Sequence, residues 1–217
     1  MARKTKEEAQ ETRSLILDTA EAVFGEKGVS RTTLNDIAKA ANLTRGAIYW
    51  HFKNKADLFD AMLKRVTLPM DEFTGQPDST SSCGNLLYIR ERTMHVVRLM
   101  AGDPRTQRVF DIVMHKTELV DDMLPIRDQH LEARQGCLDD IGASLAAAQQ
   151  AGELPPHINP TDAAIGLHAL IDGLFANWVL NPKGFDLAQQ AQSALDCYLR
   201  GLATSSPDGA CSARKTD

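Results

Sequence analysis

Twenty-three residues, Thr33 to Lys55, constrain this chain more than any others: TLNDIAKAANLTRGAIYWHFKNK carries two helix starts and one abrupt helix stop. Thr33 stands three residues before Asp36, so its hydroxyl can cap a helix whose first turn also holds a favourable negative charge. Leu34, Ile37, Ala38 and Ala41 then recur at three- and four-residue steps, an apolar face small enough for a second helix to approach closely. Asn42 is the turn residue, because asparagine tolerates the left-handed backbone that stops a helix. Thr44 caps the next helix, and Ala47, Ile48 and Phe52 bury it.

That packing turns Thr44, Arg45, Gly46, Tyr49 and His51 outward, a set rich in hydrogen-bonding groups. A helix lying in a major groove presents its N-terminal residues to base edges while its flanks meet phosphates. Arg45 is the base-reading candidate, since its forked guanidinium matches the two acceptors of guanine. Gly46 lets the backbone come close, while Tyr49 and His51 suit phosphate oxygens, which set register without carrying sequence information. Lys55 opens the next helix, KADLFDAML, where its ammonium and the free amides could hold one phosphate together. Phe52 is core by its spacing, whereas Tyr49 and Trp50 fit either the core of a three-helix domain or an outward aromatic face.

Residues from about Lys6 to Met62 resemble the N-terminal domain of TetR-family transcriptional regulators, through TTLNDIA, the LTRGAIYWHF segment and NKADLF. The opening MARKTKEEAQETR is most similar to the branch containing AcrR-like repressors of multidrug efflux pumps. The resemblance implies that Thr44, Arg45, Gly46, Tyr49, His51 and Lys55 face DNA, with Thr32 and Thr33 near its backbone.

Charge is divided along the chain in a way that suits one DNA-facing end. The net charge is −5, yet residues 1–68 hold 12 Lys and Arg against 9 Asp and Glu, and the remainder 12 against 20. A protein that coats nucleic acid without selectivity should be basic throughout. Arg3, Lys4 and Lys6 fit either an arm that meets phosphates or a solvated tip. No apolar run looks long enough for the roughly 20 residues of a membrane span, and acidic residues follow the basic start. A cytoplasmic protein without membrane attachment is expected. Cys83, Cys137, Cys197 and Cys211 are scattered, without a CxxC pair, so reduced structural thiols are expected rather than a zinc or redox site. His115, Glu118, Asp121 and Asp122 in HKTELVDD lack ligand spacing and read as solvated surface. No phosphate loop, GxSxG or HExxH motif is present, so neither enzyme chemistry nor a metal or cofactor is expected.

Helical periodicity predicts an all-α protein. The first helix starts at the Thr5 to Glu8 capping box, packs through Leu15, Ile16, Ala20, Val23 and Phe24, and ends at Gly28. Thr74 to Gly84 reads as a loop, with further helices over Leu86 to Met100, Pro104 to Met114, Pro125 to Ala151, Thr161 to Leu180 and Asp186 to Leu202. The expected division is a helix-turn-helix DNA-binding domain over 1–54, a helical ligand-binding and dimerisation domain over 55–203, and a disordered tail over 204–217.

Thr161 to Leu180 is apolar or small on almost every face. Its Gly166, Ala169, Gly173 and Ala176 stripe, with Ala188, Ala191, Leu195, Tyr198 and Leu202 of the last helix, suits either packing within one chain or a two-fold four-helix bundle; family members dimerise in the latter way. Asp172 lies among Leu170, Ile171, Leu174 and Phe175, and a buried carboxylate needs a partner. His168, Arg98 or Arg134 could supply one inside the chain. Alternatively, Asp172 orients a ligand in an apolar cavity, and the family resemblance places an acidic drug-pocket residue there. Val96, Met100, Phe110, Met114, Leu138, His168 and Phe175 are the companion wall candidates, each also suited to ordinary core. The expected partners are double-stranded operator DNA, a small hydrophobic or cationic ligand and a second copy of the chain, with an efflux operon as target. The alternatives are a regulator of another metabolic operon, an architectural DNA-binding protein without ligand control, and an enzyme fused to a DNA-binding head.

Overall fold

The computed structural model describes residues 6–71, 85–118 and 123–204. Thr5, the expected Thr74 to Gly84 loop, Cys83, Asp121, Asp122, Cys211 and the tail from 205 onward lie outside the described residues. The described residues form helices only: α1 Lys6–Lys27, α2 Leu34–Ala40, α3 Arg45–His51, α4 Lys55–Asp71, α5 Asn85–Gly102, α6 Pro104–His115, α7 Leu124–Gln150, α8 Pro160–Leu180 and α9 Leu187–Thr204.

Two apolar cores organise these helices. The first gathers Ile16, Leu17, Ala20, Phe24, Ile37, Ile48, Phe52, Leu58, Phe59 and Met62, closing α1 to α4 into the head. It continues into Val109 and Ile112 of α6 and Ile126 of α7. The expected boundary at 54/55 therefore runs through packed side chains, because α4 belongs to the head core as well as to the connection. The second core joins α5, α7, α8 and α9 around Val97, Met100, Leu145, Leu167, Phe175 and Leu195.

Gly28 ends α1 with φ +80, a backbone region where a side chain is strained. The α1 stripe differs from expectation at Leu15, which is 46% exposed. Leu17 takes the buried place, because neighbouring helices approach α1 along its Ile16, Leu17, Ala20 and Phe24 side. Cys137 and Cys197 are exposed rather than packed in the core, so the expectation of structural thiols fails for both.

Helix α8 overturns one reading of the sequence. It is 21 residues long and, with mean hydropathy 1.5 over an 18-residue window, apolar enough by composition to cross a membrane, although only 33% of that window is buried in the chain. The inner side packs between α7 and α9, while Ile165 and Leu180 remain exposed. At the α8–α9 contact the Tyr198 hydroxyl donates to the Ala163 carbonyl at 2.8 Å, directly over Gly166. A β-carbon at Gly166 would collide with that hydroxyl. Gly166→Ala should therefore cost about 1 to 3 kcal/mol of stability by overpacking, read by denaturant unfolding. Tyr198→Phe in the same chain should recover part of the loss, whereas an unchanged midpoint for the single variant would exclude a tight contact.

Candidate nucleic-acid interface

The turn that aims α3 is built as its residues dictate. Thr33 Oγ1 accepts from the Asp36 amide at 3.2 Å, and the Asp36 carboxylate accepts from the Thr33 amide and hydroxyl at 2.9 and 2.6 Å. Those hydrogen bonds from Thr33 hold the Asp36 carboxyl below its usual range. Asn42 adopts φ 54, with the Leu43 amide donating to Ala38 O and the Asn42 amide to Lys39 O, the paired bonds of a left-handed helix stop. Thr44 Oγ1 then accepts from the Ala47 amide at 3.2 Å and starts α3. Ile48 and Phe52 are buried, and the Arg13 guanidinium lies 5.1 Å from the Phe52 ring centre.

The outward side of α3 carries Thr44, Arg45, Gly46 and Tyr49, all exposed, with His51 half-buried beside them. The Arg45 guanidinium carbon sits 5.4 Å from the Tyr49 ring centre, so the two side chains brace each other one turn apart. Trp50, which the spacing left between core and surface, is 71% exposed and meets His51 edge-on at 4.5 Å. It joins the candidate interface. Sequence periodicity could not place it, because α3 is only two turns long and its neighbours are both aromatic.

Two expected contacts are placed differently. Thr32 is 1% exposed and its hydroxyl donates to Gly28 O at 2.7 Å, so it secures the α1–α2 turn from inside. Lys55 Nζ donates to Val29 O and Ser30 O at 3.2 and 3.4 Å, tying α4 to that same turn instead of projecting toward a phosphate. At the start of α4, Asn54 Oδ1 accepts from Asp57 N and Asp57 Oδ2 accepts from Lys53 N.

The eight ligand candidates divide into an apolar group and a polar pair. Val96, Met100, Phe110, Met114, Leu138 and Phe175 lie in or against the second core, with Phe110 and Phe175 edge-to-face at 5.9 Å. Met100 and Phe175 are fully packed, so a ligand must open space between them. An open groove of about 490 Å³ between α7 and α8 shares only Leu138 with this set. Asp172 is not buried: its side chain is 52% exposed and pairs with His168 Nδ1 at 3.2 Å. The expected burial cost does not arise, because the outer side of α8 is open in the single chain.

Residues 16–62 match the family model for bacterial regulatory proteins of the TetR family, and residues 84–204 match that for the C-terminal region of MAATS-type transcriptional repressors. The chain belongs to the TetR family. TtgR, an HTH-type transcriptional regulator of Pseudomonas putida, is 41% identical over 199 residues, covering 92% of this chain and 95% of that protein. NalD, the secondary repressor of the MexAB-OprM multidrug efflux pump in Pseudomonas aeruginosa, superposes with a TM-score of 0.80 at 32% identity, covering 93% of this chain and all of that one. SmeT, the repressor of the Stenotrophomonas maltophilia multidrug efflux pump SmeDEF, in its triclosan complex gives a TM-score of 0.75 at 34% identity over 88% of this chain and 91% of that chain. This TetR-family protein is a DNA-binding transcriptional repressor, not an enzyme.

Proposed function

We propose that this repressor acts in the cytoplasm as a homodimer on a palindromic operator, silences a multidrug efflux operon, and is released by small hydrophobic or cationic ligands. Arg45 reads a base edge in each half-site, and Thr33, Thr44, Tyr49, Trp50 and His51 meet the phosphates on either side. Gly46 permits the close approach.

The observation that carries ligand control is the two-sided packing of α6. Val109 and Ile112 sit in the head core, while Phe110 presses on Phe175 of α8 in the second core. A ligand that opens the second core beside Phe110 must displace the helix on which the head rests. Val96, Met100, Met114 and Leu138 complete an apolar wall. His168 and Asp172 stand in the same helical row as Phe175, where they can orient a polar or cationic group. The ligand acts only through its preference for the released conformation. The outer side of α8, with exposed Ile165, Ala169 and Leu180, supports pairing of α8 and α9 with their symmetry mates.

Fluorescence anisotropy with labelled DNA from upstream of the coding sequence tests the reading. Two probes apply, triclosan as an uncharged aromatic and tetraphenylphosphonium as a lipophilic cation. Specific binding by a species of twice the 23.8 kDa chain mass, weakened about tenfold or more by at least one saturating probe, is expected. Binding that neither probe alters, despite calorimetric evidence that one is bound, would refute release by such ligands.

A further inference from the structure

One charged cluster has no part in either site. Glu21 of α1 is only 4% exposed and faces arginines from two other helices. Its carboxylate accepts from Arg65 Nη1 of α4 at 3.3 Å, and lies 3.4 Å from Arg105 Nε and 3.7 Å from Arg108 Nη2 of α6. Asp18, one turn earlier, pairs with the same Arg65 and Arg105 at 2.8 and 2.9 Å. At the opposite end of α6, Lys116 Nζ donates to Gly25 O at 2.7 Å and Lys116 O accepts from the Val29 amide at 3.0 Å. Helix α6 is therefore fastened to α1 at both ends, and α4 is fastened to the same carboxylates.

We propose that Glu21 is a positioning residue, which through Arg65, Arg105 and Arg108 transmits displacement of α6 to the orientation of the DNA-reading head. The inference rests on the ligand-release reading above and names the junction through which release passes.

The geometry of the cluster points beyond simple stabilisation. The Arg105 Nε–H is buried without an acceptor in line, although Glu21 is near, so the cluster is incompletely satisfied in this arrangement. A junction with an unmet donor can be remade by a modest shift of α6, since the alternative geometry regains a hydrogen bond. Burial also pushes the Glu21 carboxyl above its ordinary range, against the pull of Arg105 and Arg65.

Glu21→Gln keeps the shape and removes the charge. Its thermal midpoint should fall, because Arg65, Arg105 and Arg108 lose a buried partner, while its calorimetric triclosan affinity should stay within about twofold. The ratio of operator affinities without and with saturating triclosan should fall about tenfold, with partial recovery in Glu21→Asp. A ratio within about twofold of wild type, at any thermal midpoint, overturns the proposal. If triclosan fails to release the wild-type chain, the ligand reading fails separately, and Glu21 is judged on ligand-free operator binding. An operator affinity for Glu21→Gln lowered about tenfold, with unchanged binding to unrelated DNA, then supports the positioning role; equal affinity overturns it.

Discussion

Replacing Arg45 with alanine should cost about 1 to 3 kcal/mol per half-site, roughly 5- to 150-fold, and should relax preference at one base position in each half. The expectation follows from where the side chain stands. Arg45 is the first residue of α3, outward and exposed, with its guanidinium braced over Tyr49. Bracing reduces the rotamer freedom lost on binding, and the planar fork offers two parallel donors to guanine. Arg45→Lys should fall close to alanine in discrimination, because a point charge keeps the phosphate attraction but not the bidentate match. Anisotropy titrations against operators substituted one base pair at a time provide the measurement. Equal losses on every sequence, with a shallower salt dependence, would reassign Arg45 to phosphate binding.

Local chemistry carried most of the head into view from the residues alone. The Thr33 and Thr44 caps, the Asn42 stop and the burial of Ile48 and Phe52 depend on neighbours within four positions, and each stands in the structure as the spacing predicts. Features that depend on distant parts of the chain were not legible. Lys55 turns inward because the carbonyls of Val29 and Ser30, 26 and 25 residues away, arrive beside it. Thr32 is buried for a related reason, its turn being covered by the close of α1.

Glu21 shows the same limit more sharply. Its arginine partners lie on α4 and α6, and a glutamate in an otherwise regular helix carries no sign of burial. Asp172 erred in the opposite direction. A helical wheel finds no wet side on α8, since it cannot distinguish a surface covered by the same chain from one left open by it. The exposed outer side of α8 is consequently more informative than its composition, because it is the surface on which the proposed dimer rests.

The largest expected loss of stability is at Phe59. Phe59→Ala should destabilise the chain by about 3 to 5 kcal/mol, a large part of the roughly 5 to 15 kcal/mol that holds a typical domain together. Phe59 is 1% exposed, on α4, with its ring centre 6.2 Å from that of Phe24 on α1. The cavity left by its removal cannot fill cheaply, because Ile16, Leu17 and Met62 are themselves fully packed. The loss should not stay local. Val109 and Ile112 share this core, so loosening α4 also loosens the seat of α6, and unfolding of head and body should remain a single transition. Denaturant unfolding at fixed protein concentration, which holds any subunit dissociation constant, gives the comparison. Leu15→Ala serves as the control: an apolar residue of α1 that lies outside the core should change stability by no more than about 0.5 kcal/mol. A Phe59→Ala midpoint equal to that of the control would mean that α4 contributes no closure to the head. Two separate transitions would instead uncouple the head from the helix through which release is proposed to pass.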